Sequence, residues 1–121
     1  MNNEKKMEKL TKNKIKTLRK EVRNKSSYKD LVEFIEVISN KDRFLILNLL
    51  KENSCLLSDI EKNLDKSQAS IAHHLRILEK HKLITSSKNG KFKQYSILKE
   101  TFAKFLNIWD EWFNVIRSRD Y

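Results

Sequence analysis

The polar side chains best suited to binding a ligand are concentrated between Ser67 and Lys80. At about 100° of rotation per residue, an inward side of a helix over this segment holds Ile71, Leu75 and Leu78. The opposite side is polar and cationic. Gln can bond adenine through two hydrogen bonds, Arg can take guanine or phosphate, and Ser and His can donate or accept. We therefore expect this face to contact base edges and phosphates, with the candidate residues Gln68, Ser70, His73 and Arg76.

A second cationic group follows in a predicted β-hairpin. Two segments of strand-like composition, 83–88 and 91–97, flank Asn89-Gly90, and Gly90 is the only glycine in the chain. A two-residue Asn-Gly loop is typical of a type I′ turn, which needs positive φ at both central residues. The hairpin over 84–97 predicts a wing that carries Lys88, Lys91 and Lys93 beside the DNA backbone or minor groove.

Helical periodicity accounts for the elements that must position these groups. Apolar spacing predicts helices over 28–40, 41–52, 58–64 and about 67–80, and a last helix that carries the aromatic residues after position 101. The segment 41–52 is apolar over more than half of its circumference, which predicts burial on several sides. Ser58 and Glu61 have capping-box spacing, and Asp65 or Ser67 can cap the next helix. Two short helices joined by a polar turn and followed by a hairpin predict a winged helix-turn-helix, mainly α with a small β-hairpin wing, in the order α-α-α-α-β-β-α.

The charge of the chain is concentrated at its N-terminus. The 121 residues include 26 Lys and Arg against 16 Asp and Glu, a formal charge of +10, and residues 1–25 alone hold ten basic and three acidic residues. This division predicts a basic N-terminal arm over 1–25 and a winged-helix DNA-binding and dimerisation domain over 26–121. In the arm, Met7, Leu10, Ile15, Leu18 and Val22 recur at roughly helical spacing, which predicts an amphipathic helix. Such an arm either binds DNA, RNA or anionic lipid, or is a solvated helix whose apolar side packs on a partner.

Composition excludes several classes of protein. One cysteine cannot form a disulfide framework or a four-cysteine metal site, and the scarcity of glycine removes phosphate-cradling loops. No carboxylate pair or nucleophile–base arrangement stands out, so we expect no enzyme and no cofactor. The three histidines, all between positions 73 and 81, do not converge as three metal ligands. No apolar run of signal-peptide or membrane-spanning length exists, so we expect a cytoplasmic protein with no membrane partner.

Three segments together resemble the ArsR/SmtB family of winged-helix repressors. They are Arg43 to Leu50, then Ser67 to Leu78 with its S-Q-x-x-I-x-x-H-L-x-x-L run, then Gly90-Lys91 with Tyr95 to Ile97. The resemblance spans roughly residues 30–115. It implies a homodimer that binds a palindromic operator and leaves it when an inducer binds. It also implies that Ser67, Gln68, Ser70 and His73 are the base-reading and phosphate-contacting positions.

The departures from the family pattern concern its sensory sites. Where metal-sensing members have a cysteine pair in the third helix, this chain has Leu56 and Ser58, with Cys55 one place earlier, and its last helix contains no His. We therefore expect no metal, and a small buried thiol at Cys55. Lys82 stands where the family usually has Gly before the first wing strand, and a left-handed conformation there would cost about 1 kcal/mol.

Large apolar side chains exceed what a domain of this size can cover by itself. Exposed patches beyond a few hundred Å² are uncommon on monomers, so we expect a two-fold interface of terminal helices. The residues predicted to form it are Leu31, Ile35, Phe105, Trp109, Trp112, Phe113 and Ile116.

The sequence thus predicts a DNA-binding transcriptional regulator, expected to be a repressor, that acts as a homodimer on an inverted-repeat operator. Helix 67–80 would occupy the major groove and wing 84–97 would lie at the backbone or minor groove. Two alternatives stay open: a non-specific architectural protein that binds nucleic acid through the +7 arm, and a winged-helix module that binds only proteins. The sequence does not identify an inducer.

Overall fold

The computed structural model describes residues 2–24 and 26–120, and the side chains of residues 3–20 and 27–120. The elements in chain order are α1 (Asn2–Asn24), α2 (Ser26–Ile38), α3 (Lys41–Leu50), β1 (Cys55–Leu56), α4 (Leu57–Asn63), α5 (Gln68–Lys80), β2 (Ile84–Asn89), β3 (Phe92–Ile97) and α6 (Lys99–Arg117). Mostly helical, with one small antiparallel sheet of order β1-β3-β2, this architecture confirms the predicted winged helix-turn-helix.

The chain divides into two compact units, Met1–Glu33 and Phe34–Tyr121. The first unit contains α1, the helix that covers most of the predicted arm, and the beginning of α2. The side chain of Val22, one of the apolar positions predicted for the arm, lies outside the described side chains. The predicted domain boundary after residue 25 stays a prediction, because the compact units meet inside α2.

One hydrophobic core organises the second unit. The side chains that are almost completely buried are Ile46, Ile60, Ile71, Leu75, Leu78, Leu83 and Ile84. They come from α3, α4, α5 and the start of β2, so the helix pair and the hairpin share one core. The inward side predicted for α5 is confirmed, because Ile71, Leu75 and Leu78 all belong to this set.

Side-chain caps fix where the helices of the second unit begin. The Asn40 carboxamide oxygen accepts the backbone N–H of Asp42 at 3.0 Å and of Arg43 at 3.1 Å at the start of α3. Ser67 Oγ accepts the Ser70 N–H at 3.1 Å at the start of α5, so the cap is Ser67, one of the two residues predicted for it. The capping box predicted at Ser58 is wrong, since α4 begins one residue earlier and the Asp59 carboxylate accepts the Leu56 N–H at 3.4 Å.

The hairpin register differs from the predicted one. Asn89 pairs with Phe92, so the two-residue loop is Gly90-Lys91 rather than Asn89-Gly90. Gly90 has φ +65°, and among the described residues the only other positive φ is at Lys82. A loop with glycine at its first central position and no positive φ at its second is typical of a type II′ turn, so the type I′ prediction is wrong. Strand β1, which pairs with β3 through Cys55–Tyr95 and Leu56–Gln94, was not predicted.

Helix α3 is not buried on several sides, contrary to the prediction. Ile46, Leu47 and Leu50 face the core, whereas Phe44 is 53% exposed and Leu45 is 42% exposed. The apolar residues of α3 therefore lie on two sides of the helix. One side packs into the core, and the other, with Phe44 and Leu45, is exposed.

At the C-terminal end of α5, a residue in the left-handed conformation lets backbone N–H groups bond to the last carbonyls of the helix. Lys82 has φ 59°, and its N–H donates to Glu79 O at 3.0 Å, while the Leu83 N–H donates to Leu78 O at 3.0 Å. This pair of bonds is the Schellman motif, which glycine favours because it has no Cβ to clash. It turns the chain from α5 directly into the wing.

We expect Lys82→Gly to raise the free energy of unfolding by about 1 kcal/mol, because glycine relieves the left-handed strain without removing a hydrogen bond. Chemical denaturation at constant pH measures the change. Lys80→Gly, inside the last turn of α5, is the matched control and should lower stability. A Lys82→Gly protein no more stable than the parent would contradict the expectation.

Candidate nucleic-acid interface

Helix α5 presents a polar face to solvent and an apolar face to the core. Ala69, His73, Arg76 and Lys80 are exposed, on the outward side where they were predicted. The N-terminal end of α5 adds the partial positive charge of its unpaired N–H groups, which favours nearby phosphate. The face therefore combines hydrogen-bonding groups with positive charge on a rigid, well-anchored helix.

The candidate residues at the start of α5 make local hydrogen bonds. Ser67 uses a lone pair of its hydroxyl oxygen for the cap, which leaves the hydroxyl hydrogen available to a phosphate. Gln68 is exposed, and its side-chain amide donates to Glu61 Oε2 of α4 at 3.0 Å. Ser70 is half-buried in the first turn. The Gln68 amide also has a second N–H and an acceptor oxygen, so it can contact a base while it keeps its bond to Glu61.

A polar cluster that was not predicted from the sequence joins α5 to α3. Arg43 donates from Nε to Val37 O at 2.7 Å, and its Nη1 lies 3.3 Å from His74 Nδ1. On its other side, His74 Nε2 lies 3.6 Å from Asp42 Oδ2, which in turn lies 3.8 Å from Lys66 Nζ. Since Arg43 can only donate, His74 accepts at Nδ1 and carries its proton on Nε2. The cluster fixes α5 laterally while leaving its outward face free. The position of His74 three residues after Ile71, on the flank of the inward side, is the signal that could have indicated it.

We expect stability to fall as the pH is lowered through about 6.5. Burial, followed by the Arg43 guanidinium, lowers the pKa of His74 below its ordinary 6.5. Between the lowered folded pKa and the ordinary unfolded one, the unfolded chain binds more protons, so acidification favours unfolding. Denaturation at pH 7.5 and 5.5 measures this loss.

His74→Gln should reduce the difference in the free energy of unfolding between pH 7.5 and pH 5.5. His73→Gln, at the exposed neighbouring position, should keep that difference. Equal pH dependence in the parent and in His74→Gln would contradict the role assigned to His74.

The wing carries concentrated positive charge. Lys88 and Lys93 are cross-strand partners, and Lys91 lies in the turn beyond them. Like charges directly opposite each other cost stability in a sheet, so the pair is better suited to a site that an anion will occupy. Lys88 and Lys91 are exposed and Lys93 is half-buried, with its Nζ 5.3 Å from the centre of the Tyr95 ring. Phe92, exposed at the tip beside Lys91, was not among the predicted site residues.

Two of the residues predicted for a dimer interface are covered within the chain. Leu31 is 7% exposed and Phe105 is 9% exposed. Phe105 stacks on Phe34 with 4.4 Å between ring centres, which explains its burial. These two side chains therefore have little surface left for a partner, and their part in a dimer interface stays a prediction.

The second half of α6 carries an exposed aromatic cluster on the same side of the helix as the buried Phe105. Trp109 and Trp112 stack at 5.3 Å, and Phe113 packs edge-on against both. Trp109 is 39% and Trp112 42% exposed, and Ile116 continues the face one turn later. Ile35 on α2 is also exposed. Large apolar side chains left open to water in this way favour burial against another surface.

The single thiol and the acidic and histidine side chains offer no metal site in the part of the chain that the structure describes. Cys55 is half-buried in β1, its thiol donates to Leu49 O at 3.7 Å, and burial, then the Asp59 charge, raises its pKa. Within residues 2–24 and 26–120, no three His, Cys, Asp or Glu side chains come together as a metal site. Among the described helices, none is long and apolar enough to cross a membrane.

Comparisons with known proteins agree with this geometry. A family described as "Bacterial regulatory protein, arsR family" matches residues 40–86. The arsenical resistance operon repressor of Staphylococcus xylosus is 30% identical over 94 residues, which are 78% of this chain and 86% of that protein. The transcriptional repressor SdpR of Bacillus subtilis is 37% identical over 62 residues, 51% of this chain and 69% of its own.

A solved structure is similar over most of the chain. An ArsR-like transcriptional regulator from Rhodococcus sp. RHA1 superposes with a TM-score of 0.63 at 26% identity, over 75% of this chain and 90% of that one. The segment matched by the family, 40–86, runs from the cap of α3 into β2 and contains all of α5.

Proposed function

This chain belongs to the ArsR family of winged helix-turn-helix transcriptional regulators, and on that premise we propose that it acts as a homodimeric repressor on an inverted-repeat operator. It is a DNA-binding regulator of transcription. Repression is proposed because the similar proteins of S. xylosus and B. subtilis are named repressors. The proposed role is non-enzymatic and uses no cofactor.

In the proposed complex, α5 enters the major groove. The observation that carries this assignment is the division of α5 into a core face held by Ile71, Leu75 and Leu78 and an exposed face of hydrogen-bonding and cationic groups. Gln68 and Ser70 at its start are assigned to base edges, and Ser67, His73 and Arg76 to bases or phosphates. The wing, through Lys88, Lys91 and Lys93, is assigned to the backbone or minor groove.

The proposed dimer forms through the exposed apolar faces described above. The interface we assign consists of Ile35, Trp109, Trp112, Phe113 and Ile116, with Phe105 behind it in the protomer. A two-fold axis relates the two copies of α5, so that they fit major grooves about 34 Å, or one helical turn, apart. The proposal does not include release of the operator by a metal ion. It assigns no site to an inducer.

Selection of bound duplexes from a random pool tests the proposal. The expected product is an inverted repeat with half-site centres about 10 base pairs, or a multiple, apart. It should outcompete random duplex by at least about 10³, with affinity that falls steeply with salt. Equal binding to all duplexes would identify an architectural protein instead, and no binding to any duplex would identify a protein-interaction module. Either outcome overturns the proposal.

A further inference from the structure

Helix α1 carries a continuous cationic face that neither α5 nor the wing includes. At about 100° per residue, six side chains lie within about 50° of one direction on α1, namely Lys5, Lys9, Lys12, Lys16, Arg19 and Lys20. We call these six residues the basic face. All of them are exposed, and over the described side chains none has a carboxylate at salt-bridge distance.

The two acidic side chains of α1 that the structure describes lie off the centre of the basic face. Glu4 and Glu8 lie about 110° and about 70° from the centre of the basic face, toward Ile15, whereas the apolar positions are centred about 150° from it. Any packing through the apolar positions therefore leaves the basic face directed outward. The face is also internally repulsive, because Lys12 and Lys16, like Lys16 and Lys20, are separated by four residues, and such like-charge pairs cost about 0.2–0.5 kcal/mol each. A polyanion along the face removes this repulsion.

Two polyanions could meet such a face, a nucleic acid or an anionic membrane. A helix lying in a membrane surface buries its apolar side, so the cations that reach the lipid phosphates are those beside that side. In α1 the apolar side is flanked by Glu4 and Glu8 on one edge and by Lys6 and Lys14 on the other, so these charges cancel. The basic face would point into water. Duplex DNA needs only a cationic face. The placement of the charges therefore favours DNA.

We propose that the basic face of α1 binds the phosphate backbone of duplex DNA and adds sequence-independent affinity to the readout by α5. This inference rests on the proposed function, since it assigns a further contact in the same complex. From Lys5 to Lys20 the face extends over about 22 Å at 1.5 Å per residue, which is the length of about six base pairs. Neutralised phosphates release counterions, so the contact strengthens binding most at low salt.

The test compares two full-length variants in which four charges each are removed. The first, Lys5→Gln, Lys9→Gln, Lys12→Gln and Lys16→Gln together, removes most of the basic face. The control replaces Lys14, Lys29, Lys51 and Lys99, which are also exposed but lie outside the face, by Gln. Gln and Lys have similar helix propensity, and circular dichroism verifies that α1 is retained. Affinity for the selected operator and for a random duplex is measured over a range of salt.

The basic-face variant should bind both duplexes about tenfold or more weakly than the parent. Its slope of log affinity against log salt should become shallower by about 0.9 for each phosphate that the variant no longer neutralises, and its preference for the operator should be kept. The control variant should change the slope less.

An unchanged slope in the basic-face variant, with operator preference present in the parent, would overturn this inference and leave the proposed function standing. A second outcome would assign the face to membranes: the parent sediments with phosphatidylglycerol vesicles, and only the basic-face variant loses this binding while its salt slope for DNA is unchanged. That outcome would also overturn this inference. Absence of operator preference in the parent would instead overturn the proposed function.

Discussion

Replacing Trp109 and Trp112 together by Ala is expected to convert the protein into a monomer and to abolish tight operator binding. The two rings are exposed and stacked in the single protomer, so the substitution removes surface assigned to the partner and leaves the core untouched. A buried interface Trp costs about 2–4 kcal/mol when truncated. Because each position occurs twice in a symmetric dimer, the dissociation constant should rise by about 10³ or more. Sedimentation equilibrium measures the dimer, and fluorescence anisotropy with labelled operator measures binding.

The matched control is Val115→Ala on the same helix. Val115 is exposed but lies roughly 110° from the direction of the aromatic cluster, so its truncation should leave both the dimer and the DNA affinity nearly unchanged. A double-Trp variant that stays dimeric, with a normal circular dichroism spectrum, would contradict the proposed interface. The interface would then have to be sought at the exposed Phe44 and Leu45 of α3.

Gln68→Ala is expected to lower affinity for the operator by about 2–6 kcal/mol per dimer while leaving random-duplex affinity nearly unchanged. A bidentate base contact is worth about 1–3 kcal/mol of discrimination, and the symmetric complex contains two copies. The effect should be concentrated at one base pair of each half-site, where the variant tolerates substitutions that the parent rejects. Binding measured on a set of single-base operator variants shows this directly.

Gln94→Ala provides a control with the same chemical change on the wing. The Gln94 amide donates to Ser54 Oγ at 2.7 Å and is assigned no base. This variant should keep the operator's preferred sequence. If Gln68→Ala weakens operator and random duplex equally, Gln68 contacts phosphate or only its neighbour Glu61, and its assignment as a base-reading residue is wrong.

The features of the fold that local periodicity encodes were accessible from the sequence. The inward side of α5 follows from the spacing of Ile71, Leu75 and Leu78. The place of Asp65 and Ser67 before that pattern limited the cap to these two residues, and the structure uses Ser67. Periodicity and the Asn-Gly turn also predicted the order of the elements, and the family resemblance added Ser67 to the positions expected to meet DNA. The left-handed conformation of Lys82 could be suspected because the family usually has Gly there.

The features that were missed depend on contacts between distant residues. Strand β1 is two residues long and exists only because Cys55 and Leu56 pair with β3, about forty positions later. The hairpin register is fixed by pairs such as Ile84–Ile97, whereas an Asn89-Gly90 loop would have paired Lys88 with Lys91. Likewise, periodicity marks Phe105 as apolar but does not show that Phe34 covers it. The Arg43–His74 contact was missed for the same reason, since these residues are thirty-one positions apart on two different helices.

Chemical interference on the selected operator tests most directly whether α5 reads the major groove as one of a symmetric pair. Dimethyl sulfate methylates guanine N7 in the major groove and adenine N3 in the minor groove, so it reports which groove each contact uses. We expect interference at guanine N7 in two patches whose centres lie about 10 base pairs, or a multiple, apart, one in each half-site. Interference confined to adenine N3, or a single patch without its symmetric mate, would contradict the assignment.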